Sequence, residues 1–397
     1  MRRRVLEGVR ILDLTRVVAG PFATAILADL GAEVIKVERP RIGDDYRFGP
    51  APEGETSLSF QNINRGKRSI TLDLRREEGR ALFLRLVERA DAVVENFRAG
   101  WMARQGLAPE VLQARNPRCV VASLSGFGAR GPRRDEASYD IVAQAAGGLM
   151  AMTGFPGGPP VRGGGALADF VGGLYLALGV VAGILDRDRG GRARALDLSN
   201  QDAIFAITDS AATLFAGLGV RTERLGSQHP FAAPYDAHSA RDGTVVVATA
   251  SNRLFRALCT AMGRPELAED PRFRSHRDRA RNREEVNRIV GEWVAARTVD
   301  EVRRLLGPEG AGVPCARVEA PEELVDDAHL RARGMVERHP HPRLGEVVFH
   351  GNPLRFEGAE AREHPLAPEL GADNAAVYRE LGLGGAELEA LARDGVI

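Results

Sequence analysis

The chain has 397 residues, and 54 Lys and Arg residues balance 54 Asp and Glu residues, so the formal net charge is zero. That length suits two domains, and the 44% hydrophobic and 27% charged fractions indicate a folded globular protein. Zero net charge removes the basic footprint that non-specific nucleic-acid binding needs. The three separated cysteines, Cys119, Cys259 and Cys315, form no disulfide framework or zinc knuckle, so we expect a cytoplasmic location and no metal site.

The pattern of the chain does not predict a targeting or membrane segment. Residues 1–8 contain three arginines but lack the apolar core of a signal peptide. The longest apolar stretch, residues 170–185, is shorter than the ~20 residues that a membrane span needs. We therefore expect a buried helix there and no membrane partner.

Strands alternate with helices in the first 130 residues, a spacing that predicts βαβ units and a parallel sheet. The predicted strands are short apolar runs at residues 9–14, 32–38, 69–74, 92–96 and 119–124. Residues 17–21 are predicted to form a loop, and Gly31 is predicted to end the first helix. The predicted helices of this part cover residues 22–30, 77–89, 139–150, 168–185 and 202–215.

The composition changes after Gly226, which indicates a second domain. A strand is predicted at residues 245–249, a charged helix at 282–296, and a last helix at 386–393. The predicted organisation is a large domain that begins with residues 1–220, a small domain over residues 221–330, and a C-terminal return to the large domain over residues 331–397.

Arginines follow several predicted strands at their carboxyl ends, where open parallel sheets bind ligands. They are Arg16, Arg39, Arg75 and Arg98. Together they suit a ligand that carries phosphates, although any one of them taken alone is more typical of an ordinary surface. None of these loops contains GxGxxG, so a nicotinamide oxidoreductase is not supported.

A triple glycine at residues 163–165 precedes Asp169, which lies at the start of the long apolar helix. Asp169 is either the N-cap of that helix or a reactive carboxylate kept ionised by the helix N-terminus, with the glycines admitting a ligand. The first of the eight histidines is His229, so a site built from earlier residues works without imidazole.

Motifs along the whole chain resemble the class III CoA-transferases, the family of formyl-CoA transferase, carnitine CoA-transferase and α-methylacyl-CoA racemase. The opening motifs are LEGVRILDL at residues 6–14, AGP at 19–21 and LGAEVIKVE at 30–38. The later ones are NRGKRS at 64–69, VENF at 94–97, SLSGFG at 123–128, GVPC at 312–315 and DGVI at 394–397.

This resemblance implies an α/β fold, with a Rossmann-like large domain built from both chain ends, a smaller inserted α+β domain, and an interlocked ring homodimer. It implies an acyl-CoA thioester and a carboxylic acid as substrates, with no separate cofactor. The catalytic aspartate falls on Asp169, and Tyr139 either orients it or the acyl carbonyl, or only packs. The CoA-contacting positions fall on Val18, Ala19, Arg39, Leu72, Asp73, Arg75, Asn96, Phe97, Arg98 and Arg104.

The resemblance also implies a mechanism in which Asp169 forms an anhydride and then a CoA thioester, with oxyanions stabilised by backbone N–H groups near residues 163–165 or Ala19. Val18 replaces a glutamine of formyl-CoA transferase, and residues 249–252 lack its glycine loop, so formyl-CoA and oxalate are not expected as substrates. The stretch GDDYR at residues 43–47 resembles members that use short dicarboxylates such as succinate. Arg16 and Arg47 are the candidates for binding a second carboxylate.

Two other functions remain open. α-Methylacyl-CoA racemases use a histidine–aspartate pair, but Tyr139 stands before Asp140 where racemases carry the histidine. This difference favours CoA transfer over racemisation. A non-catalytic CoA-binding protein is the second alternative, and the presence of Asp169 in its glycine context disfavours it.

Overall fold

A computed structural model describes residues 4–357 and 365–397. The chain divides into two compact units. The first comprises Met1–Met150, Arg162–Arg221 and His329–Ile397, and the second comprises Ala151–Val161 and Thr222–Ala328. Residues 151–161 therefore group with the second unit, whereas the sequence assigned them to the large domain. Residues 1–3, which belong to the predicted N-terminal segment, lie outside the described residues.

A six-stranded sheet forms the centre of the first unit. Its strands are β1 (Arg10–Asp13), β2 (Glu33–Glu38), β3 (Arg68–Thr71), β4 (Ala92–Glu95), β5 (Val120–Ser125) and β6 (Ala195–Ser199). Every pairing is parallel, in the order β3-β2-β1-β4-β5-β6, which confirms the predicted α/β class. The order reverses between β1 and β4, and such a reversal opens a crevice at the carboxyl ends of the strands.

Ten helices lie along the chain up to residue 218, in the part that the structure describes. They are α1 (Ala19–Asp29), α2 (Leu58–Asn64), α3 (Glu77–Val87), α4 (Trp101–Arg104), α5 (Pro109–Arg115), α6 (Asp140–Ala146), α7 (Leu149–Met152), α8 (Leu167–Asp188), α9 (Asn200–Ala206) and α10 (Ala211–Leu218). Helix α1 begins at Ala19, inside the predicted loop. The predicted helix over residues 139–150 is divided, because Gly148 has φ +94° and a Cβ on Gly147 would lie 2.4 Å from Ile204 of α9. The prediction of one helix over residues 202–215 is also wrong, since α9 and α10 are separate there.

Apolar layers cover both faces of the sheet, because successive strand side chains point in opposite directions. Ile11 packs with residues of α1 and α8, and its neighbour Leu12 packs on the other face with residues of α3 and the C-terminus. The C-terminal part contains α15 (Ala328–Ala332), the hairpin of β10 (Val336–His341) and β11 (Gly345–His350), α16 (Asn374–Glu380) and α17 (Gly385–Arg393). Its last residues, Val396 and Ile397, are buried in the same layer as Leu12.

Helix α8 is buried on only one face. Leu176 and Val180 are buried against the sheet, whereas Leu174 is 53% and Leu178 is 62% exposed on the opposite face. The expectation of a buried helix is therefore wrong for this outer face, which no element of the described chain covers. By length and composition alone, α8 would be able to cross a membrane, a criterion that core helices also meet.

The second unit has its own sheet and core. Strands β7 (Tyr235–Ala240), β8 (Gly243–Ala248) and β9 (Cys315–Arg317) form an antiparallel sheet in that order. Its helices are α11 (Asn252–Ala261), α12 (His276–Arg281), α13 (Arg283–Ala295) and α14 (Val299–Leu306). Strand β8 and helix α13 confirm the predicted strand and charged helix of this region within one or two residues at each end.

Candidate active site

Two cavities open in the first unit where β1, β2, β3 and β4 end. The Arg39 cavity has a volume of about 210 Å³ and is lined by residues that follow β1, β2 and β3. The Asp169 cavity has a volume of about 240 Å³ and is lined by residues that follow β1, β4 and β5 and by residues of α8 and α9. Arg16 and Phe97 line both cavities, which are therefore neighbours. This is the position that the reversal of strand order favours for ligand binding.

Eleven of the twelve site residues named from the sequence lie along these cavities. The Arg39 cavity contains Arg39, Leu72, Asp73, Arg75 and Phe97, and the Asp169 cavity contains Val18, Ala19, Asn96, Phe97, Arg98, Tyr139 and Asp169. Arg104 lines neither cavity and is exposed on α4.

The loop after β1 has a strained backbone that neighbouring side chains hold in place. Val17 has φ +67°, a conformation that is rare for a β-branched residue. The Asn96 side chain accepts from the Arg16 N–H and donates to the Arg16 carbonyl, each at 2.8 Å, and Asp44 accepts from the Val17 N–H at 3.0 Å. The Asn96 amide is therefore engaged in holding the loop that brings Val18 to the Asp169 cavity.

The only two lysines of the chain, Lys36 and Lys67, lie buried beneath this loop. The Lys67 ammonium donates to Asp13 at 2.9 Å and to the Pro21 carbonyl at 3.0 Å, and Lys36 donates to the Thr15 carbonyl at 2.8 Å. Burial raises the pKa of Asp13, but Lys67 and Lys36 outweigh it and lower the pKa to about 2. Burial lowers the pKa of Lys67 to about 8 against the attraction of Asp13. The charged local sequence NRGKR at residues 64–68 does not reveal this buried ion pair.

Asp169 does not cap α8, so the N-cap alternative is wrong. Ala166 is the N-cap residue, and Asp169 is the third residue of the helix. The Ala168 N–H in that first turn is bound by Asp140, whose Oδ1 accepts it at 2.8 Å. The Asp169 Oδ1 instead accepts from Asn200 Nδ2 at 3.1 Å.

The charge environment of Asp169 opposes its ionisation. Burial and the nearby Asp140 raise the pKa of Asp169 to about 6, although the hydrogen bond from Asn200 acts to lower it. The sequence suggested that the helix N-terminus keeps the pKa of Asp169 low, whereas this pKa is raised. With a pKa of about 6, roughly nine-tenths of the carboxyl groups are still ionised at pH 7.

Glycines inside α8, not the triple glycine before it, bring the neighbours of Asp169 close. A Cβ on Gly172 would lie 2.0 Å from Asn200 Oδ1, and a Cβ on Gly173 would lie 2.6 Å from the Ala19 carbonyl oxygen. Of the triple glycine, Gly163 uses its N–H to donate to Gln144 Oε1 at 2.9 Å. Residues 163–165 line neither cavity, which leaves Ala19 as the predicted backbone donor beside Asp169.

Two further predicted residues have clear placements. Tyr139 is 78% exposed, so it does not pack within this chain, and it lies on the rim of the Asp169 cavity. The guanidinium of Arg47 is buried and donates to both Glu38 oxygens at 2.8 and 2.7 Å, which makes Arg47 unsuitable for a second substrate carboxylate. Arg16 remains, because its side chain is 37% exposed and lines both cavities.

The arginines of the Arg39 cavity form ion pairs with carboxylates that a bound phosphate would be able to replace. Arg39 donates to Asp45 at 2.6 Å, and Arg16 lies 3.6 Å from the other oxygen of Asp45. Arg75 donates to both oxygens of Asp73, at 2.9 and 2.8 Å. These pairs are partly exposed, and a phosphate would supply equivalent acceptors. Within the described ranges, no group of three His, Cys, Asp or Glu side chains is placed to hold a metal ion.

The sequence and the fold both match known proteins. The family model described as CoA-transferase family III matches residues 6–374. The chain is 39% identical over 381 residues to acetyl-CoA:oxalate CoA-transferase of Acetobacter aceti, and the aligned region covers 94% of this chain and 95% of that protein. It is 36% identical over 380 residues to succinyl-CoA–D-citramalate CoA-transferase of Chloroflexus aurantiacus, and the aligned region covers 95% of this chain and 94% of that protein. The crystal structure of a CAIB/BAIF family protein from Brucella suis matches with a TM-score of 0.82 and 35% identity, over 96% of this chain and all of that one.

Proposed function

Because the chain belongs to CoA-transferase family III and is a CoA-transferase, we propose that it moves CoA from an acyl-CoA thioester to a short dicarboxylic acid through a covalent intermediate on Asp169. One observation carries this proposal. The Asp169 carboxylate lines a cavity that shares Arg16 and Phe97 with a second, arginine-lined cavity, so one acyl-CoA would be able to reach from the arginines to the aspartate.

In this mechanism, Asp169 attacks the acyl carbonyl and expels the CoA thiolate, which forms a mixed anhydride. The thiolate then attacks the aspartyl carbonyl, releases the first acid and leaves an aspartyl-CoA thioester. The acceptor carboxylate attacks that thioester, and the expelled thiolate attacks the acceptor's acyl carbonyl to complete the transfer. Asp169 is regenerated as a carboxylate, and the thioester bond energy is conserved.

The substrate class is supported by Arg16 and by the relatives. Arg16 is the partly exposed cation that lines both cavities, so it would bind the second carboxylate of the acceptor. One relative is named for D-citramalate and another for oxalate, and the oxalate relative weighs against the expectation that this acid is excluded. An assay of succinyl-CoA with malate, citramalate, glutarate, mesaconate and oxalate tests the proposal, and no turnover with any dicarboxylate contradicts it.

A homodimer is part of the proposal. The outer face of α8 exposes Phe170, Leu174, Tyr175 and Leu178, and a second copy of the chain would cover this apolar face. Interlocked subunits would not separate on dilution. Sedimentation velocity over a hundredfold dilution tests this, and a monomer that grows with dilution contradicts it.

Substitution of Asp169 tests the covalent step. We expect Asp169→Asn and Asp169→Ala to lower transfer by at least about 10⁴-fold, because an amide or methyl group cannot form the anhydride. The matched control is Asp186→Asn at the other end of α8, an exposed aspartate outside both cavities. Hydroxylamine should inactivate the wild-type enzyme only after acyl-CoA is added, with the modification on Asp169. A fully active Asp169→Asn enzyme contradicts the proposal.

A CoA-binding test compares two predicted arginines. Arg39→Gln should raise the KM for acyl-CoA by roughly 10-fold or more, because hydrogen bonds to charged groups contribute about 1.5–3 kcal/mol. Arg104→Gln serves as the comparison, since Arg104 lies outside both cavities. An unchanged KM in both variants removes these two arginines from the proposed CoA site.

A further inference from the structure

We infer that Asn200 is a catalytic residue whose side-chain N–H donates to the Asp169 oxygen on which negative charge develops when the covalent intermediate is attacked. This inference rests on the proposed function of Asp169 as the nucleophile. It extends that function by assigning different roles to the two oxygens of Asp169.

The placement of Asn200 is built into the fold. It is the first residue of α9, directly after β6 ends, and β6 pairs with β5 at the edge of the Asp169 cavity. Ser199 caps α9 by accepting from the Asp202 N–H at 2.9 Å, so Asn200 does not serve as the cap. Its side chain is therefore available to the cavity rather than to the helix end.

The contact between Asn200 and Asp169 requires a close approach of two helices. Asn200 is 8% exposed, lines the cavity, and donates from Nδ2 to Asp169 Oδ1 at 3.1 Å. Gly172 on α8 permits this approach, because a Cβ there would overlap Asn200 Oδ1 at 2.0 Å. Among the described residues, Asn200 Oδ1 has no hydrogen-bond partner, although it is buried. A buried amide with one unsatisfied atom is costly to keep, and such groups are typical of functional sites.

The chemistry of the proposed intermediate gives the contact a function. The hydrogen bond marks Oδ1 as the oxygen that stays on the aspartyl group, and Oδ2 as the oxygen that attacks and later leaves with the first acid. When an acceptor carboxylate adds to the aspartyl thioester, a C–O bond forms and the carbonyl electron pair moves onto Oδ1. Collapse restores the C=O bond, breaks the C–S bond and releases the CoA thiolate. A donor on Oδ1 stabilises the charge at that moment, as oxyanion-hole donors do.

The decisive measurement is the decay of the intermediate after it has formed. The acceptor assay first identifies the pair of acyl-CoA donor and acid acceptor that the wild-type enzyme converts fastest. Enzyme is then incubated with that acyl-CoA until intact mass spectrometry shows aspartyl-CoA. The acceptor is then added and decay is followed by rapid quench. We expect Asn200→Leu to slow this decay by about 10²–10³-fold, with the KM for acyl-CoA within about threefold of wild type. A residue that only orients the free carboxylate would not change this rate, because Asp169 is already esterified.

A second variant and two controls keep the test independent of folding effects. Gly172→Ala should slow decay in the same way, because its methyl group displaces the Asn200 amide without removing it. Gly179→Ala is the control on the same helix, since the atoms nearest to its Cβ belong to the Leu196 side chain, which must also shift (2.3 Å) but lies outside both cavities. Gln201→Leu is the control on α9, since Gln201 donates to the Ala146 carbonyl. Both controls should decay like the wild-type intermediate.

The outcomes separate this inference from the proposed function. Decay within threefold of wild type in Asn200→Leu and Gly172→Ala overturns the inference, and an inactive Asp169→Asn enzyme then leaves the covalent mechanism standing. A raised KM with normal decay also overturns it, because Asn200 would then act in binding. If Asn200→Leu does not fold, Gly172→Ala and the isosteric Asn200→Asp decide by the same measurement.

Discussion

Two aspartates of the first unit, the buried Asp13 and the partly buried Asp169, lie in opposite charge environments. Asp13, at the end of β1, accepts from the hydroxyls of Thr15 and Thr24 and from the Lys67 ammonium, and the attraction of the cations lowers its pKa to about 2. Asp169 accepts from the neutral Asn200 amide and lies near Asp140, and its pKa rises to about 6. The Asp13 carboxylate is paired with a buried cation, whereas the Asp169 carboxylate has a neutral hydrogen-bond donor.

The difference separates a structural carboxylate from the one that we propose to be the nucleophile. Asp13 is stable as an anion, so its charge and its bonds fix the strand end and the loop that Lys36 and Lys67 also hold. The ionised Asp169 is held in an unfavourable state by burial and by Asp140. In the proposed mechanism, acylation would remove that charge, and the repulsion from Asp140 would be relieved as the anhydride forms.

The largest expected effect is the loss of the cation beside Asp13. Lys67→Met should lower the free energy of unfolding by about 3–5 kcal/mol, because it leaves a buried carboxylate without its partner. Guanidinium unfolding at pH 7 measures this effect.

The double variant Asp13→Asn/Lys67→Met is the control for that prediction. It should recover at least half of the lost stability, because the neutral amide oxygen still accepts from Thr15 and no unpaired charge remains. A Lys67→Met protein as stable as the wild type would mean that the Asp13 region is not held by its charges.

The second expected effect has the opposite sign and concerns Asp169. Its pKa is about 6 in the folded protein, against 3.8 for an aspartate in an unfolded chain, so the folded state holds a proton that the unfolded state releases between these values. Stability should therefore fall as the pH rises from about 4 to 6, and the cost at pH 7 is about 3 kcal/mol. Asp169→Asn removes this cost, so it should be more stable than the wild type at pH 7 and equal to it near pH 3.

Unfolding curves across that pH range check the second prediction. Asp13 contributes in the opposite sense, since its stabilisation is present above its unfolded pKa of 3.8 and is lost as the pH falls toward 2. An Asp169→Asn protein that is less stable than the wild type at pH 7 would show that Asp169 is a structural residue after all.

The sequence predicted the sheet better than the site. The five strands before residue 130 are apolar runs with turn residues at their ends, and all five are present within three residues of the predicted bounds. The sixth, β6, was missed because it is an edge strand with alternating exposed residues and charged neighbours. The helix breaks at Gly147–Gly148 and near Asp209 depend on φ values of +94° and +53°, which helical periodicity does not reveal.

Asp169 was found from its motif, but its surroundings depend on contacts that are distant in the chain. Asp140 binds the first turn of α8 from 28 residues away, so the helix needs no cap from Asp169. Asn200 lies 31 residues from its partner, and the sequence did not mark it as a candidate, because β6, the strand that it follows, was missed. The two lysines likewise have local sequences that do not predict burial, because their partners, Asp44 for Lys36 and Asp13 for Lys67, are distant in the chain or on another element.

The smallest expected effect tests whether Asp140 tunes Asp169. In the proposed mechanism Asp169 attacks only as an anion, so kcat/KM should fall as the pH falls through about 6. Asp140→Asn removes the neighbouring negative charge that raises the pKa of Asp169, and the acid limb should move to lower pH by up to about 1 unit. The amide oxygen of the new side chain still accepts from the Ala168 N–H, so the start of α8 is preserved.

The pH profile of kcat/KM measures the shift. Asp202→Asn is the control, since it removes an exposed first-turn carboxylate from α9 and should leave the limb in place. An acid limb that stays near pH 6 in Asp140→Asn would separate Asp140 from the titration of Asp169, and the raised pKa of Asp169 would then rest on burial alone.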